Sequence, residues 1–147
     1  MLIDNRKARH NYDIIDTYTC GIVLKGSEVK SIKNGKCNIS EAYCYVNLNC
    51  NEVWLKGAHI SKYNSDKFTN HEEYAERKLL LNKKEIRKIA NDVIVPGITI
   101  VPLKIVSNNG LIKVVIGICK GKKNYDKRED IKERDNKREL DRIRKSY

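Results

Sequence analysis

The chain has 147 residues, enough for one domain to bury a modest core without disulfides or metal ions. Charged residues make up 33% of it and the formal net charge is +11, so the first candidate partner is nucleic acid and the second is an acidic membrane surface. No apolar run reaches the roughly 18 residues of a membrane span, and the first ten residues hold no signal-like apolar stretch, so we expect a cytoplasmic protein or one inside a bacterium-derived organelle.

Short strands dominate the predicted elements. Alternating polar and apolar positions, rich in β-branched and aromatic residues, are typical of half-buried strands. This pattern predicts strands at residues 12–19, 21–24, 42–48, 52–56, 98–106 and 111–119. Asn109-Gly110 favours a tight turn between the last two, and Pro102 requires an edge position or a bulge.

Three short helices are predicted among these strands. Residues 5–10 can form the first, and Ser27 can cap a second that ends at Gly35. Asn82 and Glu85 have the spacing of a capping box that opens a third helix over residues 83–91. Antiparallel strands with a few short helices indicate a Greek-key barrel, and the oligonucleotide-binding (OB) type is the commonest such barrel.

The composition changes after Cys119. Residues 120–147 contain 12 Lys or Arg and seven Asp or Glu, with too few apolar side chains to close a core. Pairs at i,i+4 such as Asp130 and Arg134 can support a helix once a partner supplies further contacts, although a solvated single helix would show the same pairs. We predict that residues 1–121 form the barrel and residues 122–147 a basic tail that is disordered when free.

The sequence contains no motif typical of an enzyme. The five cysteines include no Cys-x-x-Cys pair, and an odd number without a secretory signal indicates buried thiols rather than disulfides or a zinc site. The histidines do not cluster in sequence, and no glycine-rich phosphate loop is present. We therefore expect no catalytic residue, metal or cofactor.

Clustered cations are the candidate contacts to nucleic acid. Arg6, Lys7 and Arg9 can bind successive phosphates, and Lys30 and Lys33 share one face of the second predicted helix, although solvated surfaces would look the same. Aromatic side chains that could stack on bases are Tyr18, Tyr43, Tyr45, Trp54, Tyr63 and Phe68. Most of them are expected in the core, Trp54 first among them.

Six sequence blocks, in order and with family spacing, resemble the SmpB family, the partner of transfer-messenger RNA in rescuing stalled ribosomes. They are Asn-Arg-Lys-Ala-Arg-His at 5–10, Gly-Ser-Glu-Val-Lys-Ser at 26–31, Gly-Lys with Asn at 35–38, Arg-Lys-Leu-Leu-Leu at 77–81, Gly-Lys-Lys at 121–123 and Asp-Lys-Arg at 126–128.

The resemblance implies an OB-type barrel of six strands with three helices in a monomeric protein. It implies binding to the tRNA-like domain of transfer-messenger RNA and delivery of that RNA to a stalled 70S ribosome. The tail is implied to enter the empty messenger channel near the decoding centre and to become helical there. The alternative is a basic ribosomal protein that binds ribosomal RNA.

The resemblance also assigns individual residues. Those implied for RNA binding are Asn5, Arg6, Lys7, Arg9, His10, Glu28, Lys30, Lys33, Lys36, Arg77, Lys78, Lys120, Lys122 and Lys123. Those implied for the tail in the channel are Asp126, Lys127, Arg128, Lys132, Arg134, Ile143 and Lys145.

Two segments depart from the family pattern. Thr19-Cys20 stands where the family usually has Glu-Ala, and that glutamate is associated with RNA contact. Residues 73–76, just before Arg77, are Glu-Tyr-Ala-Glu and more acidic than the usual Pro-Thr-Arg-like approach. Both departures bear on local contacts rather than on the fold.

Overall fold

A computed structural model describes residues 2–63 and 71–121. Its elements in chain order are β1 (Ile3–Asp4), α1 (Arg6–Asn11), β2 (Tyr12–Ile22), α2 (Gly26–Lys33), β3 (Cys37–Asn38), β4 (Tyr43–Asn47), β5 (Glu52–Lys56), β6 (His59–Ile60), β7 (Arg77–Leu80), α3 (Lys83–Val93), β8 (Ile98–Asn108) and β9 (Leu111–Gly121). Phe68 and the predicted tail, residues 122–147, lie outside the described residues.

Six antiparallel strands close into a barrel. The hydrogen-bonded order is β8-β4-β5-β7-β2-β9, and β9 pairs again with β8. Strand β1 adds to β8, while β3 and β6 form a separate two-stranded ribbon. This β-rich architecture with three helices confirms the predicted fold class, and a solved structure with the same fold is described below.

The barrel is closed by strand pairs of very unequal length. Strands β8 and β9 pair over their whole length, from Ile98 with Lys120 to Asn108 with Leu111, and β9 pairs as extensively with β2. Between β4 and β8, in contrast, the register within the described residues consists of one pair, Cys44 with Ile100. The long β8–β9–β2 sheet and the shorter β4–β5–β7 sheet are therefore joined there by a narrow seam.

The turn and bulge expected in the last hairpin are both present. Asn109 and Gly110 have φ of 51° and 79°, the left-handed conformations that a two-residue hairpin turn requires. The register of β8 shifts between Pro102 and Lys104, so a bulge accommodates the proline that cannot donate to the ladder. The two strands predicted at residues 12–19 and 21–24 are one continuous strand, β2.

Helices α2 and α3 lie at opposite ends of strand β7. Strand β7 begins at Arg77, which bonds Glu28 of α2, and ends just before Asn82, the N-cap of α3. Ile32 of α2 and Ile89 of α3 are fully buried in the same core cluster. Each helix thus contributes one isoleucine to the core of the barrel.

Helix α1 packs on the outside of the β8–β9 hairpin. Ala8 is buried against Val101, Leu103 and Cys119 in a small second cluster. Gly117 makes room for this packing, because a Cβ at that position would lie 2.9 Å from Leu103 Cδ1. The cations of α1 therefore project from a helix whose apolar side is fixed to the sheet.

Two local expectations need correction. Helix α2 begins at Gly26 with Lys25 as N-cap, so Ser27 is a buried residue of the first turn rather than the cap. Glu28 Oε1 accepts from the backbone N–H of Lys25 at 2.9 Å and supplies the capping contact instead. Trp54 is only half-buried, because it lies on the outer face of β5.

Candidate nucleic-acid interface

The cations of α1 are exposed and lie next to carboxylates. The side chain of Arg6 is 95% exposed, and Arg9 Nη2 lies 2.9 Å from Asp4 Oδ1. Lys7 Nζ pairs with Glu41. Exposed pairs of this kind contribute little to stability, about 0–1 kcal/mol, so a phosphate can replace the carboxylate at small cost. His10 is also exposed, at the end of the same helix.

Asn5, predicted from the resemblance to contact RNA, is 2% exposed and positions α1. Its Oδ1 accepts from the N–H of Ala8 at 3.1 Å and caps the helix. Its Nδ2 donates to the carbonyls of Ile39 at 3.1 Å and Pro102 at 2.7 Å. One amide therefore fixes α1 to β8 and to the chain that follows β3.

A second set of cations lies on and after α2. Lys30, Lys33 and Lys36 are exposed, and none of the three has an ion-pair partner among residues 2–63 and 71–121. The inner side of the helix is held by Ser31, whose hydroxyl donates to the carbonyl of Ser61 at 2.6 Å. The helix thus has a fixed inner face and a cationic outer edge.

Glu28 and Arg77 form a buried ion pair beneath α2. They are 4% and 3% exposed, and Arg77 Nε donates to Glu28 Oε2 at 2.5 Å. The guanidinium also donates to the carbonyls of Ala58 at 2.8 Å, Glu72 at 3.0 Å and Glu73 at 3.3 Å. Both side chains were predicted to contact RNA; in this structure their polar atoms are engaged within the protein.

Histidine 71 completes this buried network and was not singled out from the sequence. It is 3% exposed, with Nδ1 2.8 Å from Ser27 Oγ and Nε2 2.8 Å from the carbonyl oxygen of Ile60. The carbonyl can only accept, so Nε2 carries a proton there. No sequence spacing links residues 27, 60 and 71, which meet only when the barrel closes.

Lys78 lies on the outer face of the β4–β5–β7 sheet with two aromatic side chains. Lys78 Nζ is 3.3 Å from Glu52 Oε1, and Trp54 Nε1 donates to Glu52 Oε2 at 3.0 Å. These hydrogen bonds, with that of Lys78 first, lower the pKa of Glu52. Tyr45 Oη donates to Glu76 at 2.8 Å, which raises the pKa of Tyr45. Cations and carboxylates largely neutralise each other on this face.

Strand β9 ends beside the end of α1. Tyr12 pairs with Gly121, and Asp13 pairs with the exposed Lys120. Gly121, the last described residue, therefore lies next to the end of α1. Of the residues predicted for RNA binding, Lys122 and Lys123 lie outside the described residues, as do all seven predicted for the tail: Asp126, Lys127, Arg128, Lys132, Arg134, Ile143 and Lys145.

The two departures from the family pattern differ in their surroundings. Thr19 is exposed on β2, opposite Val115 on β9. The backbone carbonyl of Glu73 accepts a hydrogen bond from the Arg77 guanidinium. The side-chain Oε2 of Glu73 lies 2.8 Å from His59 Nε2. The first departure changes an accessible surface position, and the second belongs to the segment that holds Arg77.

Within the described residues, no three His, Cys, Asp or Glu side chains are grouped so that they could hold a metal ion. No helix in that part of the chain is long and apolar enough to cross a membrane. The five cysteines are free thiols, and Cys20, Cys44 and Cys119 are buried.

Comparison with known proteins gives one family. The family model described as SmpB protein matches residues 2–146. The SsrA-binding protein of Flavobacterium johnsoniae is 53% identical over 97% of this chain and 94% of its own length. That of Phocaeicola vulgatus is 49% identical over 96% of this chain and 93% of its own length.

A solved structure has the same fold. The chain in the structure described as "tmRNA-SmpB: a journey to the center of the bacterial ribosome" superimposes with a TM-score of 0.70 and 37% identity. The match covers 89% of the present chain and 95% of that one.

Proposed function

The chain belongs to the SmpB family, and from this membership we propose that it is an RNA-binding translation factor that binds the tRNA-like domain of transfer-messenger RNA. It delivers that RNA to stalled 70S ribosomes for trans-translation. Residues 122–147 sense the empty messenger channel, where they become helical.

One structural observation supports this proposal most strongly. The chain leaves β9 opposite Tyr12 and Asp13, directly after the cationic helix α1. An RNA bound along α1 therefore lies beside the start of the segment that enters the channel. A factor that must hold one RNA and probe a neighbouring channel needs this adjacency.

The predicted RNA-binding residues divide by exposure into two roles. Phosphates are contacted directly by the exposed side chains of Arg6, Lys7, Arg9, His10, Lys30, Lys33, Lys36 and Lys120 and by the half-buried Lys78. Lys122 and Lys123 continue this set. The buried Asn5, Glu28 and Arg77 hold α1 and α2 in place below that surface. Their influence on RNA binding is exerted through the helices.

The protein acts by binding rather than by catalysis, and it works in the cytoplasm with the ribosome. Relatives named SsrA-binding protein, and a solved relative in a complex of tmRNA, SmpB and the ribosome, favour this function over that of a structural ribosomal protein. A ribosomal protein would stay on vacant 70S particles in high salt, whereas a rescue factor leaves with its RNA.

The proposal is tested by recovering the bound RNA. The tagged chain, purified from cells and sequenced for its RNA, should yield transfer-messenger RNA. The double variant Lys7→Ala/Arg9→Ala should recover less, and its log K should depend less on log salt by about 0.7–0.9 per lost phosphate contact. The control Lys56→Ala/Lys62→Ala removes the same charge from other exposed positions and should behave like the parent. Recovery of ribosomal RNA alone would overturn the proposal.

A further inference from the structure

The chain contains two Asn-Gly pairs, Asn34-Gly35 after α2 and Asn109-Gly110 between β8 and β9. In such a pair the backbone nitrogen of glycine can attack the side-chain amide carbon of asparagine, because glycine has no Cβ to hinder the approach. All four residues are exposed, so neither sequence nor accessibility distinguishes the two pairs. Their backbone hydrogen bonds distinguish them.

The first pair is held by the end of α2. Gly35 has φ of 74°, and its backbone N–H donates to the carbonyl of Ile32 at 3.0 Å. The N–H of Lys36 donates to the carbonyl of Ser31 at 2.9 Å, which completes a Schellman motif. The nitrogen of Gly35 can turn toward the side chain of Asn34 only if these hydrogen bonds break.

The second pair forms the tip of the β8–β9 hairpin. Asn108 and Leu111 are the last paired residues before the turn. In the described part of the chain, neither the backbone N–H of Gly110 nor the side chain of Asn109 has a hydrogen-bond partner. Among the same residues, only the chain neighbours of Gly110 lie within 4 Å of the place that a Cβ would occupy there. The tip therefore lacks the contacts that hold the end of α2.

The tip must open before it can react. Asn109 has φ of 51°, and in the left-handed conformation the next backbone nitrogen lies on the far side of the Cα–C bond from the side chain. Opening needs a rotation of this bond at an exposed end of the ladder. Exposed ends of this kind open locally, at a free energy far below that of global unfolding.

We propose that Asn109 is a site of spontaneous deamidation in the folded protein and that Asn34 is protected from it. The nitrogen of Gly110 loses its proton to solvent base and bonds to Asn109 Cγ. The bond between Cγ and the side-chain nitrogen breaks, and that nitrogen takes up a proton and leaves as ammonia. Water then opens the five-membered imide at one of its two carbonyls and yields aspartate or isoaspartate. This modification does not rest on the proposed function.

The two products differ in their effect on the hairpin. Aspartate keeps the length of the backbone, and Asp-Gly favours the same turn as Asn-Gly. Isoaspartate routes the backbone through the former side chain and adds one carbon atom to a two-residue loop. The pairing of Asn108 with Leu111 depends on that loop, so isoaspartate should loosen the tip of the β8–β9 hairpin.

Peptide mapping by mass spectrometry tests the site in the intact chain. The protein is incubated in mildly alkaline buffer with and without urea, and fragment ions follow conversion at Asn34 and Asn109. In urea the two sites should convert at similar rates, because both are Asn-Gly. In the folded protein Asn109 should convert about tenfold faster than Asn34, where two hydrogen bonds oppose the reaction. Equal rates, a faster reaction at Asn34, or conversion at neither site while the chain in urea reacts would overturn the proposal.

Hydrogen exchange separates the effects of the two products. Freshly prepared Asn109→Asp supplies the aspartyl product and should have the melting temperature and the exchange rates of the parent. The isoaspartyl fraction of incubated protein, isolated by chromatography, should exchange the amide hydrogens beside the tip several times faster. Exchange at the parental rate in that fraction would overturn the inferred effect on the hairpin.

Discussion

Arg77 and Glu28 form a nearly fully buried ion pair across 49 positions of the chain, with Nε and Oε2 2.5 Å apart. The pair joins the start of β7 to the first turn of α2. Three backbone carbonyls complete the hydrogen bonding of the guanidinium, so the charge is both paired and solvated by the protein.

Removal of the arginine should cost much of the stability of the domain. Arg77→Ala leaves a buried carboxylate and three carbonyls without their donor, and we expect the free energy of unfolding to fall by about 3–5 kcal/mol. Lys78→Ala, at the neighbouring half-buried position on the outer face of the sheet, should cost less than about 1 kcal/mol. Urea denaturation measures both. Similar losses for the two variants would show that burial of the pair is unimportant.

We expect Asn5 to stabilise the fold rather than to bind RNA, in contrast to the cations beside it. Asn5→Ala removes the cap of α1 and the donor to two carbonyls, so unfolding should become easier by about 2 kcal/mol or more. Asn5→Asp keeps a capping oxygen but faces both carbonyls with a carboxylate, and it should not restore stability. Lys7→Ala should leave stability nearly unchanged while weakening RNA binding. Parental stability of Asn5→Asp would contradict the donor role.

The buried thiols should make stability fall in alkaline solution. Burial raises the pKa of Cys20 to about 12 and that of Cys119 to about 11, from an ordinary value of 9.0. Between those values the unfolded chain loses thiol protons that the folded chain keeps. The free energy of unfolding therefore falls as pH rises above 9, by up to about 1.4 kcal/mol per pH unit for each such thiol. Cys20→Ala should reduce this slope in denaturation series between pH 8 and about 11; an unchanged slope would show that Cys20 does not contribute.

Thr19 tests whether the departure from the family affects RNA contact. The position is exposed on β2, so Thr19→Glu should fold with unchanged stability. A carboxylate accepts stronger hydrogen bonds from RNA amino or 2′-OH groups than a hydroxyl does, so affinity should rise or stay level. Filter binding with the tRNA-like RNA measures this. A large loss would mean that the local surface matches threonine.

Removal of residues 124–147 should separate RNA binding from function on the ribosome. A chain that ends at Lys123 keeps all of β9 and should keep its melting temperature and most of its affinity for isolated RNA. It should fail to support transfer of a nascent chain to that RNA in a reconstituted tagging assay. Replacing Asp126, Lys127 and Arg128 together by Ala should have the same effect through lost charge-assisted contacts. Normal tagging by the truncated chain would make residues 124–147 dispensable.

Features set by neighbouring residues were predictable from the sequence. The turn at Asn109-Gly110 and the capping box of Asn82 and Glu85 depend on spacings of at most three residues, and both occur as predicted. The bulge at Pro102 follows because proline has no backbone N–H to donate to the strand ladder. These signals, with the alternation of apolar residues, were enough to predict a β-rich fold with short helices, whereas closure of the barrel does not follow from them.

Roles that depend on closure of the barrel were not predictable in this way. Glu28 and Arg77 look like two surface charges in the sequence, because their pairing exists only when β7 reaches α2. Asn5 resembled a polar start to a basic segment, yet its amide bonds a carbonyl 97 positions away. Trp54 was expected inside because of its size. Side chains alternate between the two faces of β5, however, so Val53 and Leu55 are buried while Trp54 lies on the outer face.

The pair of Cys44 with Ile100, the one register pair between β4 and β8 in the described part of the chain, determines how the barrel opens. Few ladder hydrogen bonds cross between β4 and β8, so closure there relies on the packing of buried side chains in the shared core cluster, to which Cys44 and Ile100 both belong. The two sheets can separate at this line without breaking the long β8–β9 or β2–β9 ladders. Amide hydrogens along β4 should then exchange with solvent well before those of β9, by sub-global opening rather than complete unfolding.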